Sequence, residues 1–131
     1  MLSNSQDLCF YTNEAMVVPF DFYPEEGVDP ADLPTLAGAT YDFVIKSCDL
    51  ATTHATLSSG GGSPRITVLG TPRTDNALGT ALASIDVDLQ LTETGGLPGV
   101  PDEFRYYVLV TFASGRQEVG VPPTPYRIKR I

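Results

Sequence analysis

The chain has 131 residues and a net charge of −8, with 42% hydrophobic and 18% charged residues. This length suits one domain with a modest core, and the excess of acidic residues disfavours nucleic acid as a partner. No apolar run reaches the roughly eighteen residues of a transmembrane helix. The 12 glycines and 11 prolines predict many turns and few long helices.

The first predicted strands lie before an acidic loop. Leu8 to Thr12 is a short, partly apolar run, and Ala15 to Tyr23 alternates as in a strand with one buried face. Pro19 lacks an amide donor, which predicts a sheet edge or a bulge at that position. Residues 24–35 are rich in proline and acidic residues, so we predict a solvated loop. Its acidic side chains include Glu25, Glu26, Asp29 and Asp32.

The middle of the chain contains three further strand patterns. Thr40 to Ser47, Arg65 to Leu69 and Leu82 to Leu91 each alternate between apolar and polar positions. The polar stretch Ala51 to Thr56 is predicted to be a solvated loop, in which His54 is exposed rather than bound to a metal. The glycine-rich residues 57–64 are predicted to form a flexible loop tip.

The C-terminal part holds the strongest strand pattern. Phe104 to Phe112 is apolar on both strand faces, which is typical of a central strand. Ser114-Gly115 predicts a hairpin into Arg116 to Val121, and Pro122 to Pro125 is expected to interrupt the strand before Tyr126 to Ile131. These patterns predict one all-β domain over residues 1–131, an antiparallel immunoglobulin-like β-sandwich of about seven to eight strands. Its predicted core includes Val18, Phe20, Phe43, Ile45, Ile85, Val87, Leu89, Val108 and Val110.

Asp86 and Asp88 form the arrangement closest to a catalytic pair. Carboxylates two residues apart share one strand face and could bind calcium or hydrolyse a glycosidic bond. The alternative, which we favour, is the solvated outer face of a half-buried strand. The acidic loop lacks the spacing of a calcium-binding loop, and a single histidine does not support a hydrolytic triad. We therefore expect no enzymatic activity, no metal and no cofactor.

Cysteines and tyrosines provide the remaining candidate sites. Cys9 and Cys48 could form a disulfide or remain reduced and partly buried. The N-terminal residues lack the basic and apolar regions of a secretory signal, so we favour reduced thiols and cytoplasmic synthesis. Tyr23, Tyr107 and Tyr126 could line a partner or sugar surface, because aromatic side chains contribute strongly to interfaces. Burial in the core is the interpretation that we favour for most of these tyrosines.

Several segments follow one another in a distinctive order of strands and turns. They are Leu36–Lys46, Ile85–Leu89, Leu97–Gly99, Phe104–Val108, Gly115–Gly120 and Tyr126–Ile128. They form an alternating strand after Leu-Ala-Gly, an acidic strand, a turn, an aromatic strand and a closing hairpin, over about ninety residues. This order resembles that of the immunoglobulin-like domain at the N-terminus of siphophage baseplate upper proteins and related tail-fibre attachment domains.

The resemblance implies a non-enzymatic structural protein of a bacteriophage virion, in the tail, baseplate or a fibre-attachment site. A capsid cement (decoration) protein or a neck protein is the alternative within the virion. A carbohydrate-binding module is the alternative of another class.

The implied partners are copies of the chain itself and other virion proteins, and neither nucleic acid nor a membrane. A trimer is expected because phage appendages commonly have threefold symmetry. An excess of acids in residues 1–64 and a basic strand at 126–131 predict contacts in which complementary charge sets the register. The predicted assembly contacts are Tyr126, Arg127, Lys129, Arg130, Glu25, Glu26, Asp29 and Asp32.

Overall fold

The computed structural model describes residues 2–3, 6–11, 15–24, 36–90, 93 and 103–129. Over these residues the chain is built from β-strands, so the all-β prediction is confirmed. The strands are β1 (Leu2–Ser3), β2 (Leu8–Tyr11), β3 (Met16–Tyr23), β4 (Thr40–Ser47), β5 (Thr53–Ser58), β6 (Ile66–Val68), β7 (Thr74–Asp75), β8 (Gly79–Thr80), β9 (Ala83–Leu89), β10 (Glu103–Thr111) and β11 (Gln117–Lys129).

The described strands form two large sheets and one hairpin. One sheet has four strands in the order β1-β3-β9-β6, and the other has five in the order β2-β11-β10-β4-β5. The hairpin is β7-β8. Neighbouring strands are antiparallel except β2 and β11, which pair in parallel from Tyr126 opposite Leu8 to Lys129 opposite Tyr11. The prediction of a purely antiparallel arrangement is therefore wrong at this pair.

Side chains from both sheets share one hydrophobic core. The ring of Phe20 on β3 lies 6.2 Å from Phe43 and 5.8 Å from Tyr106 on the other sheet, measured between ring centroids. Phe22 stacks on Tyr41 at 5.7 Å in the same way. All nine predicted core residues are buried, which confirms that the alternation identifies the inward faces.

The segment that was predicted to be a polar loop at 51–56 is largely a strand. Its residues from Thr53 onward belong to β5, which pairs with β4 through Leu57 opposite Phe43 and Ala55 opposite Ile45. Threonines suit an edge strand because a branched Cβ packs well on a pleated surface. His54 is half-buried, and its ring meets Phe104 edge-on at 5.2 Å. The predicted exposure of His54 is therefore wrong.

The prolines at 122–125 do not interrupt the last strand, contrary to the prediction. β11 is continuous, but β2 pairs only with its residues Tyr126–Lys129. Over 117–125, β11 has β10 as its one neighbour among the described strands, so amide donors are not needed on the other side. The register with β10 also shifts between Tyr106 and Val108, and this bulge accommodates the proline pair.

Both cysteines are free and exposed, so the predicted partial burial of the thiols is wrong. Cys9 lies on β2 between the buried Leu8 and Phe10, and the strand alternation turns its side chain outward. Cys48 follows β4 in a turn, where Leu50 N–H donates to the Ser47 carbonyl at 2.8 Å.

Tyr41 has a buried hydroxyl with no hydrogen-bond partner among the described residues. Burial also raises the pKa of this tyrosine. We expect Tyr41→Phe to stabilise the fold by about 1 kcal/mol, because it removes a desolvated polar group and keeps the ring. Urea unfolding measures this. Tyr106→Phe is the matched control and should lose about 1 kcal/mol, since its hydroxyl donates to the Gln6 carbonyl at 2.6 Å. Equal losses in both variants would contradict the prediction.

Stability should fall at alkaline pH because buried tyrosines resist ionisation. Burial raises the pKa of Tyr106 to about 12, and burial raises that of Tyr126 as well. Between pH 10 and 12 the unfolded chain releases tyrosine protons that the folded chain keeps, so stability is full below pH 10 and decreases above it. Each such tyrosine contributes a slope of about 1.4 kcal/mol per pH unit. Urea unfolding across this range should give a shallower slope for Tyr106→Phe than for the wild type, and an unchanged slope would contradict the assignment.

Candidate functional site

Charged side chains lie on the outer face of the four-stranded sheet. Asp21 on β3 and Asp86 on β9 project from this face, while their strand neighbours Phe20 and Ile85 are buried. Arg73 joins the two carboxylates, because its guanidinium donates to Asp21 Oδ1 at 2.8 Å and to Asp86 Oδ1. Burial lowers the pKa of Arg73, but the hydrogen bonds to both carboxylates outweigh this effect and leave the pKa raised. We call Arg73, Asp21 and Asp86 the Arg73 clamp.

The backbone around Arg73 fixes the position of this clamp. The Arg73 N–H donates to the hydroxyl of the fully buried Ser84 at 2.9 Å. The Arg73 carbonyl accepts from the Ala81 N–H at 2.9 Å, which closes the base of the β7-β8 hairpin. The Arg73 backbone is therefore held by β9 and by the residue that closes the hairpin, and its guanidinium by β3 and β9.

A second arginine cluster lies at the end of β9. Arg65 donates to the Asp88 carbonyl from Nε at 3.1 Å and from Nη2 at 2.7 Å, and Nη2 also donates to the Glu93 carboxylate. Glu93 is buried, and its Oε1 accepts from the Gln90 N–H at 2.8 Å. The hydroxyl of Tyr126 donates to the Glu93 carbonyl at 2.9 Å. We call Arg65, Asp88 and Glu93 the Arg65 clamp.

The two clamps determine what Asp86 and Asp88 can do chemically. Each aspartate lies nearest a different arginine: Asp86 pairs with Arg73, and the half-exposed Asp88 carboxylate lies 3.8 Å from Arg65 Nε. Asp86 lies on the outer face of β9 but is paired with Arg73, whereas the prediction had its carboxylate exposed to solvent alone. Over the part of the chain that the structure describes, no group of three His, Cys, Asp or Glu side chains could hold a metal ion.

Asp86→Asn should destabilise the fold by about 1 kcal/mol, because it leaves Arg73 with one carboxylate partner on a partly buried face. Asp88→Asn is the matched control. Its carboxylate lies 3.8 Å from Arg65 Nε and is half-exposed, so we expect a change near zero. Guanidinium unfolding of both variants measures the difference. Indistinguishable midpoints for the two variants would show that the Arg73 clamp does not contribute to stability.

The outer face of the five-stranded sheet has a different character. Its centre is apolar, with Tyr107 opposite Val44 and Leu109 opposite Val119. Val44 is only 6% exposed, whereas Val119 is 52% exposed. Charged side chains flank this centre, and the Lys46 ammonium lies 5.9 Å from the centroid of the Tyr107 ring. We call this surface the β10 face; it consists of Asp42, Val44, Lys46, Arg105, Tyr107, Leu109 and Val119.

The predicted assembly contacts do not meet in the described part of the chain. Tyr126 is fully buried, so its prediction as a surface contact is wrong. Arg127 is exposed, and its Nε lies 3.6 Å from the Glu103 carboxylate. Lys129 pairs with Tyr11 through the backbone at the end of β11. The other five predicted contacts lie outside the described residues: Arg130, Glu25, Glu26, Asp29 and Asp32.

The three candidate tyrosines do not form one platform. Tyr126 is in the core, Tyr23 is 6% exposed on the four-stranded sheet, and Tyr107 is half-buried on the five-stranded sheet. Burial raises the pKa of Tyr23, and the nearby carboxylates of Asp21 and Asp75 add to this. A flat ligand could therefore stack on Tyr107 alone. The favoured burial is confirmed for Tyr126 and Tyr23, and the alternative of a shared tyrosine surface is wrong.

Sequence reasoning missed the two arginines that organise the charged face. The only available signal was a pair of bases, Arg65 and Arg73, before a strand with acids at alternate positions. Contacts between residues up to 52 positions apart are not visible in a local pattern.

A search for membrane-spanning helices and comparisons with known proteins complete the description. Among the residues that the structure describes, no helix is long and apolar enough to cross a membrane. No protein-family model matches this chain, and no curated protein matches it in sequence.

Proposed function

We propose that the fold is an immunoglobulin-like sandwich of the variable type. The order β1-β3-β9-β6 supports this, since it corresponds to strands A-B-E-D of that fold. The order β11-β10-β4 corresponds to G-F-C, and β5 adds C′ at the edge. If β1 and β2 are two parts of the first strand and β7-β8 is an inserted hairpin, eight strands remain.

We propose that the chain is a non-enzymatic structural subunit of a bacteriophage virion, in the tail, baseplate or a fibre-attachment site. The observation that carries the structural role is the pair of arginine clamps. The carboxylates of Asp86 and Glu93, which acid–base chemistry would need, instead pair with arginines 13 and 28 positions away. Asp88 contributes its backbone carbonyl, which accepts from Arg65. Contacts between distant segments make a small domain more rigid, which suits a subunit that packs against many copies of itself. The assignment to a virion rests on the resemblance of the strand order to that of phage tail domains.

The proposed partners are copies of the chain and neighbouring virion proteins, with a trimer expected from threefold appendages. Nucleic acid and membranes are not proposed as partners, since the net charge of −8 opposes phosphate groups. The chain is synthesised in the host cytoplasm and then incorporated into the particle. Capsid decoration or a neck position is the alternative within the virion.

Mass spectrometry of purified particles tests this proposal directly. We expect the chain in gradient-purified virions at a constant ratio to the major structural proteins. Gold-labelled antibodies against the chain then distinguish tail, neck and capsid positions by electron microscopy. Absence from every particle of the producing phage, with the chain present in the lysate, would overturn the proposal.

A carbohydrate-binding module is the competing function, and the half-buried Tyr107 beside Lys46 is the observation in its favour. A glycan array distinguishes the two functions. Binding that Tyr107→Ala abolishes and Tyr23→Phe leaves intact would favour the module. No binding on the array is expected for a structural subunit.

A further inference from the structure

The two outer sheet faces of this chain suit different neighbours. The four-stranded sheet presents carboxylates that its own arginines already pair, so little of its charge is left to attract a partner. The β10 face instead has an apolar centre of Val44, Tyr107 and Leu109 with charges around it. An apolar centre with an aromatic residue and a polar rim is the usual composition of a protein interface. We infer that the β10 face binds the β10 face of a second copy of this chain.

The order of charged residues along β4 favours a second copy of this chain as the partner that binds the β10 face. Asp42, Val44 and Lys46 are successive outward positions, about 7 Å apart along the strand. A two-fold axis that crosses the strands at Val44 sets the two β4 strands antiparallel. Lys46 of each copy then faces Asp42 of the other, so two ion pairs flank the apolar centre. Arg105 lies opposite Lys46 on the neighbouring strand. A two-fold axis parallel to the strands would instead place these two bases against the same two bases of the other copy.

Net charge also favours this pairing. Copies with a net charge of −8 repel one another over most of their surface. The β10 face carries one acid and two bases, and the Glu103–Arg127 ion pair beside it adds no net charge, so two copies can meet there without that repulsion.

The pairing rests on the proposed function only in taking the chain to be a self-associating subunit, and it departs from the expected trimer. A two-fold contact is isologous, whereas a threefold ring needs two different patches that meet. The pairing therefore predicts a dimer in solution, and the measured mass distinguishes it from the trimer expected for an appendage.

Charge reversal at Asp42 and Lys46 tests the pairing through the mass of the full chain in solution. Sedimentation equilibrium should give the wild type twice the 14.0 kDa chain mass. Asp42→Lys and Lys46→Asp should each weaken the dimer at least tenfold, because like charges then face each other. The double variant Asp42→Lys/Lys46→Asp should recover wild-type dimerisation, since the opposite charges meet again. Ala77→Lys, at an exposed position in the β7-β8 turn, is the control and should remain a dimer.

Three outcomes would overturn the pairing. They are a wild-type chain that stays monomeric at millimolar concentration, a trimeric mass, and a double variant that is as weak as the single variants. Circular dichroism confirms that each variant is folded before its mass is interpreted. A monomeric chain that is present in virions would overturn the pairing alone. A dimer that is absent from every virion would overturn the proposed function alone.

Discussion

Val108→Asn should cost about 4 kcal/mol of folding free energy, the largest effect expected for a single substitution in this chain. Val108 is fully buried on β10, between Phe43 of β4 and Val121 of β11. An amide there would lose its hydrogen bonds to water with no polar side chain on either neighbour to replace them. Since small domains are stable by only about 5–15 kcal/mol, this loss removes a large part of the total stability. Guanidinium unfolding followed by far-ultraviolet circular dichroism measures the loss.

Leu109→Asn is the control because it introduces the same amide one residue later on the opposite face. Leu109 is half-buried on the outer surface of the single chain, where water can still reach the new group at concentrations too low for two copies to pair. We expect a loss of about 1 kcal/mol, mainly from the poor strand propensity of asparagine. Similar losses at both positions would mean that Val108 is not in a closed core, and the assignment of the inward face would then be wrong.

Gly120→Ala should destabilise the fold by about 2–3 kcal/mol through steric overlap. Gly120 is the extra residue of the β11 bulge, between Val119 opposite Leu109 and Val121 opposite Val108. A Cβ at this position would lie 2.7 Å from Cε1 of Phe22 and 2.9 Å from Cγ2 of Val110. Phe22 and Val110 are both fully buried, so neither side chain can move away without disturbing the core.

Gly62→Ala provides the matched control for the glycine substitution. A Cβ at Gly62 would have no atom within 4 Å, so the added methyl meets open space. We expect a change within about 0.5 kcal/mol, because the substitution chiefly restricts the unfolded chain. Thermal unfolding of both variants makes the comparison. A Gly120→Ala melting temperature equal to that of Gly62→Ala would show that the sheets can separate locally to admit a methyl group.

The contrast between the two outer faces connects the fold to the proposed role. One face is tied together by Arg65 and Arg73, which join β9 to segments on either side of it. The other face keeps an apolar centre with Lys46 and Asp42 on opposite sides of Val44. A domain that is stiffened on one side and apolar on the other is suited to repeated contacts in an assembly.

The period-2 alternation by itself determined the strands and the core. It identified β3, β4, β9 and β10 to within two residues, together with nine buried side chains. Alternation is a strong signal because successive side chains of a strand point to opposite faces. A strand with one buried face therefore has apolar residues at every second position. The turn after β10 was also predictable from the sequence, because Gly115 adopts a φ of 91° that glycine accepts at little cost.

Only the tertiary structure decided which strands pair and which polar groups meet. β5 is a strand because β4 offers it a partner, and β11 passes through its prolines because one of its edges has no described neighbour there. Tyr126 is buried because it lies on the inward face of β11, where its ring meets Phe10 and Phe43. The clamps of Arg65 and Arg73 join residues 13 to 52 positions apart. Hydrophobic alternation is local in the chain, whereas pairing, edges and ion contacts depend on how distant segments come together, so the sequence pattern carries little information about them.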